Sequence, residues 1–370
     1  MVRACPASVA HMATGPAGLP CLRDQVGTVL EDFLDGQRPA LEAISGELLS
    51  WLDAIGELLA GGKRLRPAFC YWGWRAAGGA DCPQIMAAAS ALELLHASAL
   101  VHDDVMDASE TRRGSPAVHR RFAARHAAGG WRGSADAFGM GAAILIGDLL
   151  QSWTDELLHD SGLPATALLH GRPVLDAMRT ELIAGQYLDL LSQAAGDDTV
   201  ESALRVVSYK SAKYTIERPL HLGVALACAT APDEQAIAAA CTAYGIPLGI
   251  AFQLRDDVLG IFGDPAETGK PVSDDVREGK RTVLMAMARQ RASTAQVEVL
   301  HRHLGNPLVD EAGAAAVRTV IVNTGALAEC EAMIDRNVAA ALRALKGAPM
   351  ADAAKEALAE LAFAATARSD

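Results

Sequence analysis

Aromatic side chains are scarce, at 5% of residues, and the alternation of Val, Ile, Tyr and Thr that marks a half-buried strand is almost absent. Little is left from which to build a sheet. Positive charge is also in deficit: 33 Lys and Arg against 45 Asp and Glu give a formal net charge of −12, which argues against nucleic-acid binding. An anionic substrate must therefore meet a local basic patch. The seven cysteines, Cys5, Cys21, Cys70, Cys82, Cys228, Cys241 and Cys330, include no CxxC pair. Their scatter and odd number point to a reduced, cytoplasmic chain. The N-terminal "MVRACPASVAHMATGPAGLP" has no continuous apolar core, so no secretory signal is expected. The longest weakly polar run, Ala236 to Phe252, is mostly Ala and contains Gly245 and Pro247. It falls short of a membrane span and fits a kinked or paired core helix, so stable membrane insertion is not expected.

What the chain has in plenty is Ala and Leu on a 3.6-residue period. Residues 1–20, rich in Pro, Gly and Ala, read as a flexible tail. Residues 21–370 read as one domain, because no linker divides them. Two amphipathic helices are expected over 26–67, broken at "DGQRP" and stopped by glycines and Pro67. A long helix starts near Pro83. "AARHAAGGWRGSAD" reads as a loop, and helices follow over 138–162, 174–196, 200–214 and 234–265. "AETGKPVSDDVREGK" reads as a long polar loop, with helices again to the C-terminus. The expectation is all-α: one large helical bundle around a central cavity.

The stretch "LLHASALVHDDVMDASETRRG" runs against the bland expectation for a core helix. It is apolar, yet ends in Asp103, Asp104 and Asp107, with Arg112 and Arg113 just beyond. Asp103 and Asp107 are four apart and share a helix face. Carboxylates so close repel unless a cation holds them, and hard oxygen donors suit Mg²⁺, which commonly bridges to substrate phosphates. "FQLRDDVLGIFGDPAETGK" ends a second apolar helix in Asp256 and Asp257, after Phe252 and Gln253 and before Asp264 and Lys270. "GGKRLRP" sets Lys63, Arg64 and Arg66 beside glycines, so cations and backbone amides converge on an anion. His119, His126, His159 and His170 lack metal-ligand spacing, and His102 reads as a packing residue.

In this order, GGKRLRP, HDDVMD with RRG, GQYLD, a Lys-Ser pair, FQLRDD and GK resemble the trans-isoprenyl diphosphate synthase (polyprenyl synthetase) family from about residue 25 onward. The resemblance implies a Mg²⁺-dependent enzyme, usually a homodimer, that joins isopentenyl diphosphate head-to-tail onto an allylic diphosphate. It implies Asp103, Asp107 and Asp256 as Mg²⁺ ligands, with Asp104 and Asp257 in support. It places Arg112, Lys210 and Lys270 on the allylic diphosphate, with Lys280 nearby and Ser211 in the position of the usual Thr. Gly62, Lys63, Arg66, His96 and Arg113 resemble the isopentenyl diphosphate site, and Gln186, Asp189 and Gln253 polar walls near the reacting carbons. Two departures stand out. Gly260 replaces the last Asp of the second motif, with Asp264 a partial substitute, and "SAKYTIERPLHLG" stands where smaller residues are common.

On a helix, Asp107, Asp103, Ala99 and Leu95 form one stripe, so a tail held at the aspartates runs past Ala99 and Ser98. Aromatic residues at these two positions stop growth at fifteen carbons in the resembling family. Small ones point to geranylgeranyl diphosphate (C20), with Leu95 as a floor; farnesyl or longer polyprenyl products are the alternatives. A class I terpene cyclase is disfavoured by GGKRLRP, His96 and Arg113. A silent partner subunit is disfavoured by the presence of both aspartate clusters.

Overall fold

The stripe Leu22, Val26, Leu30 and Leu41 is buried along the first helix and carries it through a proline. In the computed structural model, which describes residues 19–227, 234–263 and 274–367, α1 spans Leu19–Ile44 with Pro39 inside it. The break expected at "DGQRP" is therefore absent. Phe33 and Leu34 before Pro39, and Leu41 after it, pack on one core, and Gln37 donates to Glu156 at 2.7 Å. Burial on both sides outweighs the one lost backbone bond. The helix stops instead at Ser45, in extended backbone, whose hydroxyl accepts from Glu47 N. Residues 1–18 of the expected tail, Asp264 and Lys270 lie outside the described residues.

A 3₁₀ turn (Gly46–Leu48) leads to α2 (Leu49–Leu59), α3 (Leu65–Ala76) and α4 (Pro83–Met106), the last opening on its proline as expected. A short hairpin, β1 (Thr111–Arg112) and β2 (Ser115–Pro116), is the only sheet among the described residues. Next come α5 (Val118–Ala128), α6 (Ala135–His159) and α7 (Ala165–Ala195). Ala123–Ala128, read as loop from sequence, is helix: Phe122, Ala123 and His126 are buried, and α5 packs against α6. The loop begins only at Gly129.

Ordinary helix was expected over 200–214. The structure has α8 (Val200–Val206), then a π-helix over Val207–Glu217, then α9 (Arg218–Ala227). Glycines on two neighbours let its backbone come close. A Cβ on Gly185 of α7 would lie 2.4 Å from Lys210 N, and one on Gly249 of the next helix 2.4 Å from Ala212 Cα. That next helix, α10 (Glu234–Phe262), is a single helix through Pro247. Within the expected polar loop, α11 (Asp274–Glu278) is helical, anchored by the buried Val276. The chain closes with α12 (Val283–Arg291), α13 (Thr294–His303), α14 (Glu311–Asn323), α15 (Ala326–Lys346) and α16 (Asp352–Thr366).

The core falls into two apolar clusters that meet along α10. Ile237, Cys241, Tyr244 and Leu248 belong to the first, Ala251, Leu254, Val258 and Ile261 to the second. The all-α expectation holds. By length and composition α4 and α10 pass for membrane spans, but 72% of the apolar window of α4 is buried inside the bundle.

Candidate active site

Carboxylates at a helix C-terminus face the negative end of the helix dipole, so three of them at the end of α4 need cations nearby. The fold supplies these from three directions. Lys210, on the π-helix, places Nζ 3.1 Å from Asp103 and 2.6 Å from Asp189 of α7. Arg112 Nε donates to Asp104 at 3.0 Å, with Nη2 3.8 Å from Asp103. Lys280 Nζ lies 2.9 Å from Glu278 and 3.7 Å from Asp107. Gln186 completes the set, donating to Asp103 at 2.9 Å. Burial works to raise the Asp103 carboxyl, but Lys210, Lys280 and Arg112 outweigh it and hold it below the ordinary value. Asp107 keeps fewer cations: burial, then the charge on Asp103, push it up to about 6. Burial opposes the charge on Lys210, yet Asp103 and Asp189 raise its pKa, so it stays protonated.

The two arginines of "RRG" owe their aim to the hairpin. Arg113 (φ 55) and Gly114 (φ 78) are its two turn residues, both left-handed, the pattern of a type I′ turn. Arg112 thereby faces Asp104, and Arg113 turns back to donate to the carbonyls of Gly61 (2.9 Å) and Leu58. Gly62 (φ 107) leaves room for this, since a Cβ there would meet Arg113 Nη2 at 2.8 Å. The cations of "GGKRLRP" divide. Lys63 and Arg66 reach the cavity. Arg64 is buried, 2.6 Å from the buried Glu93 of α4, and serves the core. His96 stands behind Arg66; burial and the charges of Arg66, Arg113 and Arg112 hold its pKa far below the ordinary value, so it is neutral.

On the opposite wall Ser211 donates to Gln253 Oε1 at 2.6 Å, and Gln253 Nε2 donates to Asp257 Oδ1 at 2.9 Å. The π-helix thus touches both aspartate clusters: Lys210 reaches the first and Ser211, through Gln253, the second. The arginine beside the second pair, Arg255, is buried and bidentate to Glu331 at 2.7 and 2.8 Å, tying α10 to α15.

These groups surround a cavity of about 530 Å³. Of the residues singled out from sequence, Lys63, Arg66, His96, Ala99, Asp103, Arg112, Arg113, Gln186, Asp189, Lys210, Ser211, Gln253, Asp256, Asp257, Gly260 and Lys280 all line it. Asp104, Asp107 and Gly62 stand behind that wall, in the contacts just given. Ser98 and Leu95 are buried and are not among the lining residues, so the expected path past Ser98 onto a Leu95 floor is not the cavity wall. Leu100, Leu182 and Phe252 add apolar wall. Arg281, a basic candidate beside Lys280 in "EGKRT", also faces the cavity, as do Tyr214, Thr215 and Thr282, which sequence reasoning did not single out.

Among the described residues, no three acidic or imidazole groups converge on one point to form a closed metal cage. Instead a few carboxylates, Asp103, Asp256 and Asp257, face a space that cations share. That donor set fits Mg²⁺, which takes one or two protein carboxylates and completes its shell with water and phosphate oxygens.

Comparison with known proteins agrees with this chemistry. The polyprenyl synthetase family profile matches residues 50–320. A geranylgeranyl diphosphate synthase of Mycobacterium tuberculosis is 34% identical over 77% of this chain and 75% of its own length. A geranylfarnesyl diphosphate synthase of Aeropyrum pernix is 32% identical over 82% and 88%. Among solved structures, a geranylgeranyl pyrophosphate synthase from Corynebacterium glutamicum, complexed with isoprenyl diphosphate and magnesium, superposes with a TM-score of 0.90 at 39% identity, covering 95% of this chain and 100% of that one. The chain belongs to the polyprenyl synthetase family and is a prenyltransferase that condenses isoprenyl diphosphates head to tail.

Proposed function

We propose that this chain is a Mg²⁺-dependent geranylgeranyl diphosphate synthase, extending an allylic diphosphate with isopentenyl diphosphate to C20. The observation that carries the reading is one cavity with two unlike polar sets. Carboxylates paired with Lys210 and Arg112 form one set, Lys63, Arg66, Arg113 and neutral His96 a second with Arg66 and His96 gathered on Tyr214, and the apolar Ala99, Leu100, Leu182 and Phe252 line the same cavity.

In this reading Asp103, Asp107 and Asp256, backed by Asp104 and Asp257, hold the metal ions, while Lys210, Arg112 and Lys280 hold the allylic diphosphate. Bound Mg²⁺ would neutralise charge on the departing diphosphate. Lys210 and Arg112 stabilise the same charge and favour ionisation to an allylic cation. The apolar wall keeps water from that cation. Lys63, Arg66 and Arg113 orient isopentenyl diphosphate so that its double bond attacks. The new carbon–carbon bond leaves a cation that loses a proton to the released diphosphate, so no side-chain nucleophile is needed. Lys270 belongs to the same proposal but lies outside the described residues.

Removing one charge-assisted contact costs about 1.5–3 kcal/mol, or roughly ten- to a hundredfold in binding. Lys63→Ala and Arg66→Ala are accordingly expected to raise the Michaelis constant for isopentenyl diphosphate by that factor and leave the allylic one within about twofold. A defect confined to the allylic substrate contradicts the assignment of the two sets.

The proposal includes a homodimer. Leu145 on α6, and Ile183, Tyr187 and Leu191 at four-residue spacing on α7, are 46–63% exposed, an apolar face that a second copy covers. Light scattering is expected to report twice 38.7 kDa, and a monomer at micromolar concentration contradicts it. A cytoplasmic location is proposed with it, supported by the five described cysteines, all of them free. Release of the enzyme with the soluble fraction of lysed cells checks this; recovery outside the cells contradicts it.

A further inference from the structure

Around Arg66 three polar atoms have no partner in the protein: Arg66 Nε, His96 Nδ1 and the Tyr214 hydroxyl. Tyr214 is 3% exposed and lines the cavity. Its ring lies under the Arg66 guanidinium, 4.3 Å from centroid to Cζ, and 6.2 Å from the His96 ring. Arg66 is further fixed by donating to Thr215 at 2.8 Å. The ring therefore has a packing role that a phenylalanine would fill equally well. The hydroxyl does not: its polar neighbour Arg66 pulls its pKa down but, as a guanidinium, can only donate, so the phenolic proton has no acceptor in the protein. A buried hydroxyl left unpaired is a net cost, so its presence calls for an acceptor that arrives from the cavity.

We propose that the Tyr214 hydroxyl donates a hydrogen bond to the diphosphate of isopentenyl diphosphate, beside Arg66 and His96. The inference rests on the assignment of the Arg66 set to isopentenyl diphosphate. Burial pushes the phenol up to about 12, so it carries its proton at neutral pH and donates. Arg66 Nε–H and the neutral imidazole add further donors, and a diphosphate presents enough oxygens for all of them. Tyr214 thus holds Arg66 flat with its ring face and reaches the same anion with its tip.

Tyr214→Phe separates the two roles, because it keeps the ring and its stacking and removes only the hydroxyl. Isopentenyl diphosphate alone does not react, so its dissociation constant can be measured directly by calorimetry. Tyr214→Phe is expected to weaken that binding roughly tenfold or more, the worth of a charge-assisted bond. The Michaelis constant of the allylic substrate and the thermal unfolding midpoint should hardly move. Arg66→Ala, run alongside, reports on the site itself. If Arg66→Ala weakens isopentenyl diphosphate binding and Tyr214→Phe leaves it within twofold of wild type, the hydroxyl meets only water and the proposal is overturned. If neither variant changes binding, the assignment of the Arg66 set fails first.

Discussion

Asp103→Ala is expected to lower turnover at least roughly a thousandfold, the scale on which a fixed transition-state electrostatic contact is worth about 4 kcal/mol. The fold should survive the change. Lys210 keeps Asp189 at 2.6 Å, and Arg112 keeps Asp104 at 3.0 Å. Asp107 also loses the neighbour whose charge helps push its pKa up to about 6. Asp256 is exposed on the facing helix, so Asp256→Ala should behave alike, with a melting temperature within about 4 °C of wild type. Steady-state rates at saturating Mg²⁺, beside circular dichroism melting curves, check both. A near-wild-type rate in either variant contradicts a mechanism built on two carboxylate clusters.

The second large effect concerns product length. Ala99 is the α4 residue one turn below Asp103 and it faces the cavity. Ala99→Phe places a ring in the space that a tail held at the aspartates must cross, and a packed wall has no slack to absorb it. The main product is expected to shift from C20 to C15 or shorter, read by mass after incubation with one primer and excess isopentenyl diphosphate. Ser98→Phe acts differently. Ser98 is 1% exposed and does not line the cavity, so a ring there must first displace core atoms and should cost stability before it changes product. An unchanged product from an active Ala99→Phe enzyme would show that the tail does not follow this face.

Much of the site was legible because its signals are local. Aspartates set on an apolar helix conflict with burial, and two such conflicts in one chain call for a shared cation. The first cluster also meets the helix dipole, since α4 ends at Met106, whereas α10 runs on past Asp257 to Phe262. RRG carries its turn in its glycine. What could not be read depends on partners distant in sequence. Nothing in "GGKRLRP" separates Arg64, sealed against Glu93, from Lys63 and Arg66, which reach the cavity. Arg255 adjoins the second aspartate pair but belongs to Glu331. The π-helix comes from tight packing against Gly185 and Gly249, which no local propensity encodes. Pro39 was given too much weight because the stripe that holds α1 on both sides of it acts through burial, not through the residues beside it. Tyr214 was passed over for a similar reason: beside "KSAK" it reads as one more helix residue, and only the fold sets it under Arg66.

Incubation of the purified full chain with Mg²⁺, labelled isopentenyl diphosphate and a C5, C10 or C15 allylic diphosphate tests the central claim most directly, with products resolved by chromatography and mass. The account predicts that the single chain elongates allylic primers without any second protein and that product accumulates at C20. A folded chain that elongates no primer, or one whose product stops at C15 or runs well beyond C20, would contradict it.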